Sequence, residues 1–187
     1  MIEFSVVDWA AWAPGLATRS AWQDWAQAPW LPEGEDTPGL PEVPAMQRRR
    51  IERLGRMAIQ AACWCEAGEG ADSRVPLVFA SRHGDVARSM DLLGSLVADQ
   101  PLSPTGFGLS VHNAIAALYS IVRGERGNYL ALAAGRATAI TASRNDTEQM
   151  CPVTFIPRLC ASSMTTFNSS ARMVVYALSQ VAPSSPQ

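Results

Sequence analysis

The sequence predicts an α/β domain, and three observations support this class. Short apolar runs such as Pro76-Leu-Val-Phe-Ala80 have the length and composition of buried strands. Segments with helical periodicity separate these runs, most clearly between residues 46 and 66. The chain has 187 residues, 48% of them hydrophobic and 17% charged, which suits a single hydrophobic core. Strands that alternate with helices are typical of a sheet covered by helices.

The first 44 residues predict one strand, one short helix and a long loop. Residues 2–8 alternate in polarity as a strand does, and residues 18–27 predict a helix capped by Thr18 or Ser20. All six Trp lie within the first 64 residues, and we expect them to pack in the core and loops rather than stack on a ligand. Five Pro, four acidic residues and two Gly between Pro29 and Pro44 predict an exposed, irregular loop.

The central part predicts helices and strands in alternation. Residues 46–66 form the clearest helix, and its first half contains five arginines, Arg48, Arg49, Arg50, Arg53 and Arg56. A buried strand at 76–80 leads through a turn to a helix at 85–99. The apolar face of that helix consists of Val86, Met90, Leu93 and either Leu96 or Val97. A loop at 103–107, a helix at 110–123 and a strand at 129–134 follow.

The character of the chain changes after residue 136. No acidic residue follows Glu148, and residues 153–156 and 172–178 predict strands, the latter alternatively a short helix. Residues 180–187 are predicted to be disordered. We therefore divide the chain into residues 1–140 and a divergent tail, 141–187. The tail is interpreted either as a divergent strand pair or as a truncated or frame-shifted end.

Composition argues against several classes of partner. A net charge of −2 disfavours nucleic acid, and no run of eighteen apolar residues predicts a membrane span. The start of the chain lacks the pattern of a signal peptide, so we expect a cytoplasmic protein. The four Cys, at 63, 65, 151 and 160, do not have metal-ligand spacing and are expected to be reduced thiols. Neither a metal nor a cofactor is expected.

Two consecutive segments resemble a known family. Ser103-Pro-Thr-Gly-Phe-Gly-Leu-Ser-Val-His-Asn-Ala114 and Gly127-Asn-Tyr-Leu-Ala-Leu-Ala-Ala-Gly-Arg136 are similar to the run that leads to the nucleophile of β-ketoacyl synthases. Residues 9–15, 41–57 and 77–85 resemble short β-ketoacyl-synthase-like proteins of bacterial aryl polyene and xanthomonadin-type pigment clusters. The resemblance spans about residues 3–136. It implies a thiolase-like fold, specifically the N-terminal half of a ketosynthase.

The resemblance also implies that the chain is not a condensing enzyme. Its alignment places Arg136 where the family has its reactive cysteine, or Gly135 if it shifts by one residue, and neither side chain can form a thioester. The family takes two catalytic histidines from the second half of its fold. The only histidines here, His83 and His112, lie in the first half.

Chain-length factors are related subunits that lack the nucleophile, pair with an active ketosynthase and shape its acyl tunnel. By this resemblance the partner is a ketosynthase, and the interface centres on residues 103–123 and 129–134. Thr105, Gly106 and Phe107 would line the acyl pocket, and Phe107 would act as a steric stop. His112 and Asn113 would lie near the dimer seam, where a structural hydrogen bond from His112 is favoured over a role as general base.

Three alternatives remain open from the sequence. The arginines at 48–56 form either a solvated helix face that pairs with Glu52 and the acidic loop, or a docking patch for an acidic acyl carrier protein. The chain is alternatively an acyl-transfer enzyme that uses Cys151 or Cys160 as its nucleophile. A third interpretation is a non-functional, truncated remnant.

Overall fold

The computed structural model describes residues 5–6, 8–66 and 77–133, and the backbone of short strands at 153–155, 170–171 and 173–175. In chain order the elements are β1 (Ser5–Val6), α1 (Arg19–Gln27), α2 (Ala45–Arg48), α3 (Arg53–Glu66), β2 (Leu77–Ala80), α4 (Val86–Val97), α5 (Pro104–Ser110), α6 (Ala114–Arg123), β3 (Tyr129–Leu132), β4 (Val153–Phe155), β5 (Ser170–Ala171) and β6 (Met173–Val175).

The central sheet has four parallel strands in the order β3-β2-β4-β6. Strand β2 is paired on both sides, with Leu77 opposite Tyr129 and Ala80 opposite Leu132 on the β3 side. Parallel neighbours need a crossover connection, and helices α4, α5 and α6 supply it between β2 and β3. These features confirm the predicted α/β class. Because β4 and β6 join this sheet, residues on both sides of position 140 share it, and the division of the chain there stays a prediction.

Helices α3 and α6 pack against each other and against the sheet. The core between them is built from Ala58, Ala62, Phe79, Ile115 and Tyr119, together with residues of the preceding loops. Gly55 permits the close approach: a Cβ there would lie 2.7 Å from Ile51 Cγ2 and 3.5 Å from Ile115 Cγ1. A larger residue at position 55 would force these side chains apart.

The N-terminal helix and its tryptophans match the prediction. Thr18 caps α1 by accepting a hydrogen bond from the Ala21 amide at 3.2 Å. Trp22 is buried and donates from Nε1 to the Ala11 carbonyl oxygen at 3.0 Å, and its ring meets Trp25 edge-on. These tryptophans therefore pack within the protein.

The predicted continuous helix at 46–66 is wrong, because the chain breaks between α2 and α3. Ile51 turns into the core at the break and is 3% exposed. The Arg56 guanidinium donates to the carbonyl oxygens of Ile51 and Arg48, at 2.9 and 3.2 Å. The Arg48 carbonyl also accepts from the Ile51 amide at 3.2 Å, so Arg56 adds a second donor there and binds the Ile51 carbonyl through its Nε. A side chain of the second helix thereby stabilises the break.

The loop at 29–44 lacks regular structure, as predicted, but part of it is buried. Leu40 and Val43 belong to the core cluster. The buried Gln60 of α3 holds this segment, since its Oε1 accepts from the Leu40 amide at 3.1 Å and its Nε2 donates to the Glu42 carboxylate at 3.0 Å. The prediction that the whole loop is exposed is therefore wrong.

The predicted loop at 103–107 and helix at 110–123 are instead two helices. Ser103 caps α5 by accepting from the Gly106 amide at 3.1 Å, and Pro104 occupies its first turn. Val111 is extended, which ends α5 before α6 begins. Among the described residues no single helix is long and apolar enough to cross a membrane. Helices α5 and α6 together have that length and composition but meet at a bend of 97°.

Candidate functional site

The predicted site residues fall in three places. Thr105, Gly106 and Phe107 lie in α5, His112 and Asn113 lie in the bend before α6, and the five arginines surround the break between α2 and α3. Arg136, with its neighbour Gly135, lies outside the described residues, as do Cys151 and Cys160. Their predicted roles stay predictions.

Helix α4 turns its apolar face away from the protein. The five side chains of that face are 52–89% exposed: Val86, Met90, Leu93, Leu96 and Val97. The neighbouring α5 and its flanking residues add Leu102, Phe107 and Val111, with Phe107 63% exposed. We call these eight residues the apolar surface. Large exposed apolar side chains concentrated on neighbouring elements of a folded protein commonly mark an interaction site.

A hydrogen-bonded arginine holds α4 in this orientation. The Arg88 Nη2 atom donates to Glu52 Oε1 at 2.8 Å and to the Arg50 carbonyl oxygen at 3.1 Å. Its Nε lies 3.5 Å from Asp85 Oδ2, and the Asp85 carboxylate caps the helix. Only 15% of the Arg88 side chain is exposed. The polar side of α4 is thus tied to the turn between α2 and α3, which leaves the apolar side facing outward.

The bend between α5 and α6 is fixed to two strands. His112 Nε2 lies 2.7 Å from the carbonyl oxygen of Ser81, directly after β2. A carbonyl only accepts, so Nε2 carries a proton and donates it in this bond. Asn113 Nδ2 donates to the Tyr129 hydroxyl of β3 at 3.3 Å. These contacts support the structural interpretation of His112, while its predicted place beside an acyl pocket stays a prediction.

The five arginines do not form one patch. Three of them bind carbonyl oxygens of their own chain: Arg48 at Gly39 and Leu40, Arg53 at Gly34 and Asp36, and Arg56 at the helix break. Arg49 and Arg50 are exposed, and their guanidinium groups form no hydrogen bond or ion pair within the described residues. Of the five, these two are therefore the ones without a hydrogen bond or ion pair among the described residues.

A groove of about 390 Å³ joins two of the predicted sites. It lies between the α2–α3 turn, one side of α4 and the start of α5. Its lining consists of Arg49, Arg50, Glu52, Arg88, Asp91, Leu92, Ser95, Pro101, Ser103, Thr105, Gly106 and Leu109. Arg49 and Arg50 therefore share a concave surface with Thr105 and Gly106. Phe107 is not part of this lining.

The sequence model of the family described as "Beta-ketoacyl synthase, N-terminal domain" matches residues 22–180. The chain belongs to this family. The resemblance identified from the motifs is confirmed, and so is the thiolase-like fold class. The match continues to residue 180, past residue 136, where the recognisable motifs end.

Two solved structures resemble this ketosynthase-like chain. One is "Ketosynthase (ApeO) in Complex with its Chain Length Factor (ApeC) from Xenorhabdus doucetiae", with 25% sequence identity, a TM-score of 0.63, and coverage of 75% of this chain and 59% of that chain. The other is a beta-ketoacyl synthase from Burkholderia phymatum STM815, with 17% identity, a TM-score of 0.47, and coverage of 65% and 33%. The chain thus spans 59% of the length of the first. The curated proteins compared with the sequence include no significant match.

The sequence does not reveal two features of this ketosynthase-like chain, which are the groove and the outward orientation of the apolar face of α4. Arg88, Glu52 and Asp91 border the groove, but no local motif marks them, because the lining comes from residues 49 to 109. The helical periodicity of α4 predicts an apolar face, but periodicity does not show whether that face is buried in the core or exposed. Within the described ranges, no group of three or more His, Cys, Asp or Glu is placed to hold a metal ion.

Proposed function

We propose that this chain is a non-catalytic ketosynthase-like subunit that pairs with an active ketosynthase and shapes the acyl tunnel in polyene or fatty-acid-type biosynthesis. We expect the pair to act in the cytoplasm. The single observation that carries this proposal is the apolar surface of α4 and α5. Eight exposed apolar side chains, six on two neighbouring helices and two beside them, would be costly in water unless a partner covers them.

The edge of the sheet supports the same conclusion. Strand β3 has one hydrogen-bonded neighbour, β2, among the described strands, and its side chains are half-buried or exposed. An unpaired strand edge is a template for a strand of another chain. The proposed interface therefore combines the apolar surface with β3, and it shares Phe107 and Val111 with the predicted range 103–123.

The sequence near the nucleophile position supports a non-catalytic role. Condensation through a thioester needs a thiolate, and Arg136 occupies the position that the family resemblance assigns to it. A guanidinium stays protonated at any physiological pH and cannot be acylated as a thiolate is. The similar solved structure is a complex of a ketosynthase with its chain length factor, which agrees with a paired subunit.

The proposal assigns two further roles. Phe107, large, rigid and exposed, would enter the acyl pocket of the pair together with Thr105 and Gly106, and His112 and Asn113 would support this segment at the seam. An acyl carrier protein would dock at the arginine cluster, where Arg49 and Arg50 are available and Arg48, Arg53 and Arg56 hold the local backbone.

Co-expression with the ketosynthase encoded beside it, followed by size-exclusion chromatography, tests the pairing. We expect a stoichiometric heterodimer whose products are longer or more abundant than those of the ketosynthase alone. Leu93→Glu should weaken assembly at least about tenfold, because burying one such side chain is worth about 1.5–3 kcal/mol. Leu31→Glu is the matched control, since Leu31 is 58% exposed, against 53% for Leu93, and lies outside the apolar surface.

Either of two results would contradict the proposal. The first is a wild-type chain that stays unpaired or insoluble beside the ketosynthase, which would favour the remnant interpretation. The second is a pair that assembles equally well with Leu93→Glu and with Leu31→Glu. Labelling of Cys151 or Cys160 by a thiol-reactive acyl analogue, with Cys63 unlabelled, would instead favour the acyl-transfer alternative.

A further inference from the structure

Residues 86–111, which contain α4 and α5, include no buried residue. In contrast, most residues of α3 are buried, and α6 buries four of its ten residues. The inner side of α4 is at most half-buried; there, a Cβ at Gly106 of α5 would lie 3.7 Å from Leu92 Cδ2. Because burial of apolar side chains is the dominant favourable term in folding, these two helices gain little stability from the core of this chain.

The two helices are also too short to be stable by themselves. Helix α4 has 12 residues and α5 has 7, and isolated helices below about 12–15 residues are marginal in water. Gly94 in α4 and the pair Gly106 and Gly108 in α5 lower the helix propensity further. The conformational entropy that is lost on ordering this segment must therefore be offset by contacts outside the two helices.

Polar bonds attach the segment to the rest of the chain near its two ends. Arg88, in the first turn of α4, donates to Glu52 Oε1 at 2.8 Å and to the Arg50 carbonyl oxygen at 3.1 Å. At the other end, His112 binds the Ser81 carbonyl oxygen at 2.7 Å. Within the described part of the chain, the side-chain hydrogen bonds of residues 90–111 stay inside the segment. The groove of about 390 Å³ leaves open space between α4 and the α2–α3 turn.

The large apolar side chains of the segment are concentrated on its outside. All eight residues of the apolar surface lie between Val86 and Val111. A partner that covers this surface would supply the apolar burial that the core of this chain does not. A stretch with few buried apolar contacts is typical of units that open locally at low free energy, while the rest of a protein stays folded.

We infer that residues 86–111 are an assembly-dependent segment. In the unpaired chain the segment opens and closes as a unit while α3, α6 and the sheet stay folded, and burial against the partner holds it closed. Arg88 is the positioning residue that sets the orientation of α4 in the closed form. Opening exposes the backbone to proteases, so degradation of an unpaired chain begins in this segment. Only the identity of the partner, a ketosynthase, rests on the proposed function.

Hydrogen–deuterium exchange of the full chain, alone and in its heterodimer, tests this inference. In the unpaired chain we expect the amides of α4 to exchange at least about tenfold faster than those of α6, after correction for intrinsic rates. Pairing should slow the exchange of α4 by at least about tenfold. Helix α6 is the matched reference, because it has 10 residues and follows the segment directly. Equal exchange of α4 and α6 in the unpaired chain would overturn the inference.

Arg88→Met tests the attachment of α4. It keeps an unbranched apolar stem and removes the bonds to Glu52 and Arg50, so the exchange of α4 in the unpaired chain should be about tenfold faster. The exchange of α3 and α6 should not change. Arg126→Met is the matched control, since Arg126 is exposed and forms no hydrogen bond or ion pair among the described residues. Unchanged exchange of α4, or equally faster exchange of α3 and α6, would contradict an attachment specific to the segment.

Glu52→Gln serves if Arg88→Met does not fold. It weakens one of the two Arg88 bonds and leaves the bond to the Arg50 carbonyl oxygen in place. We expect faster exchange of α4 than in wild type, by a smaller factor than for Arg88→Met. Exchange of α4 at the wild-type rate in this variant would remove the Arg88–Glu52 bond from the attachment and overturn that part of the inference.

Limited proteolysis separates this inference from the proposed function. Thermolysin cleaves beside large apolar residues, and among the described residues we expect its first cuts in the unpaired chain to lie within 86–111. A chain that is cut there but never pairs with the ketosynthase would support the opening of the segment and contradict the pairing alone. A heterodimer in which α4 exchanges as fast as in the unpaired chain would leave the pairing intact and overturn the inference.

Discussion

His112 donates a hydrogen bond of 2.7 Å from Nε2 to the carbonyl oxygen of Ser81, and this bond links the α5–α6 bend to the end of β2. Ser81 is buried, and its hydroxyl oxygen accepts from the Gly84 amide at 3.0 Å, so the turn after β2 and the bend are one hydrogen-bonded unit. The ring of His112 also meets the buried Phe79 edge-on. One histidine thereby positions both the start of α4 and the end of α5, the two helices of the apolar surface.

His112→Ala should lower the free energy of unfolding by about 1–3 kcal/mol, because the buried Ser81 carbonyl loses its side-chain donor. Urea denaturation followed by fluorescence measures the change. His83→Ala is the control: His83 is exposed, and we expect a change within about 0.5 kcal/mol. Equal stabilities of the two variants would show that the His112 bond does not hold the bend.

The backbone at Gly84 predicts a second stability effect. Gly84 has a φ of 62°, and a Cβ there would lie 3.2 Å from His112 Cα. Gly84→Ala should therefore destabilise the protein by about 1–3 kcal/mol, through backbone strain and displacement of the bend. Gly94→Ala in α4 should instead stabilise it by about 0.5–1 kcal/mol, since Gly94 is helical and its Cβ would meet nothing within 4 Å. Thermal denaturation of both variants distinguishes the two signs, and a Gly84→Ala protein as stable as wild type would refute the strain argument.

Gln60 anchors the loop at 29–44 to the core. Gln60→Met keeps the approximate volume but removes the acceptor of the Leu40 amide and the donor to Glu42. We expect a loss of about 1–3 kcal/mol in the free energy of unfolding and faster proteolysis within residues 29–44. Gln23→Met, on the exposed side of α1, should change neither quantity. Unaltered proteolysis in Gln60→Met would mean that Leu40 and Val43 alone retain the loop.

Local signals in the sequence account for most of the helices and strands. The cap at Thr18, the period of α4 and the short apolar run of β2 each depend on neighbouring residues, and each matches the structure. The break before α3 depends instead on Arg56 binding carbonyls five and eight residues earlier, and on Ile51 entering the core. The helical periodicity of the sequence continues across this break, so a prediction from periodicity does not detect the break.

The candidate site depends on tertiary contacts that the sequence does not reveal. The sequence shows the motifs around α5 and the cluster of five arginines at 48–56, but it does not reveal that three of these arginines bind backbone carbonyls. The Ser103-Pro104 pair is a typical helix start and begins α5, so the prediction of a loop at 103–107 overlooks a local signal that the sequence contains. Helical periodicity identifies the apolar face of α4, but it does not show whether the core of this protein or a partner protein covers that face. Tertiary contacts decide these points, and Arg88 supplies the contact that turns α4 outward.

Phe107 leads to a prediction about the product of the proposed pair. Its side chain is 63% exposed on α5, outside the groove and among the apolar residues that we assign to the interface. If it closes the acyl tunnel, Phe107→Ala should allow products longer by one or more extension units, because a methyl group leaves room that the phenyl ring fills. Phe107→Trp should shift the products shorter. Mass spectrometry of products from the reconstituted heterodimer measures the distribution.

Leu102→Ala is the matched control, because Leu102 is also apolar and 43% exposed but precedes α5. It should reduce the affinity of the pair without changing product length, since it removes contact area and not the tunnel end. A length change in Leu102→Ala as large as that in Phe107→Ala would mean that product length follows the strength of pairing. An unchanged distribution in Phe107→Ala, with the heterodimer intact, would remove Phe107 from the tunnel and leave it a role in the interface alone.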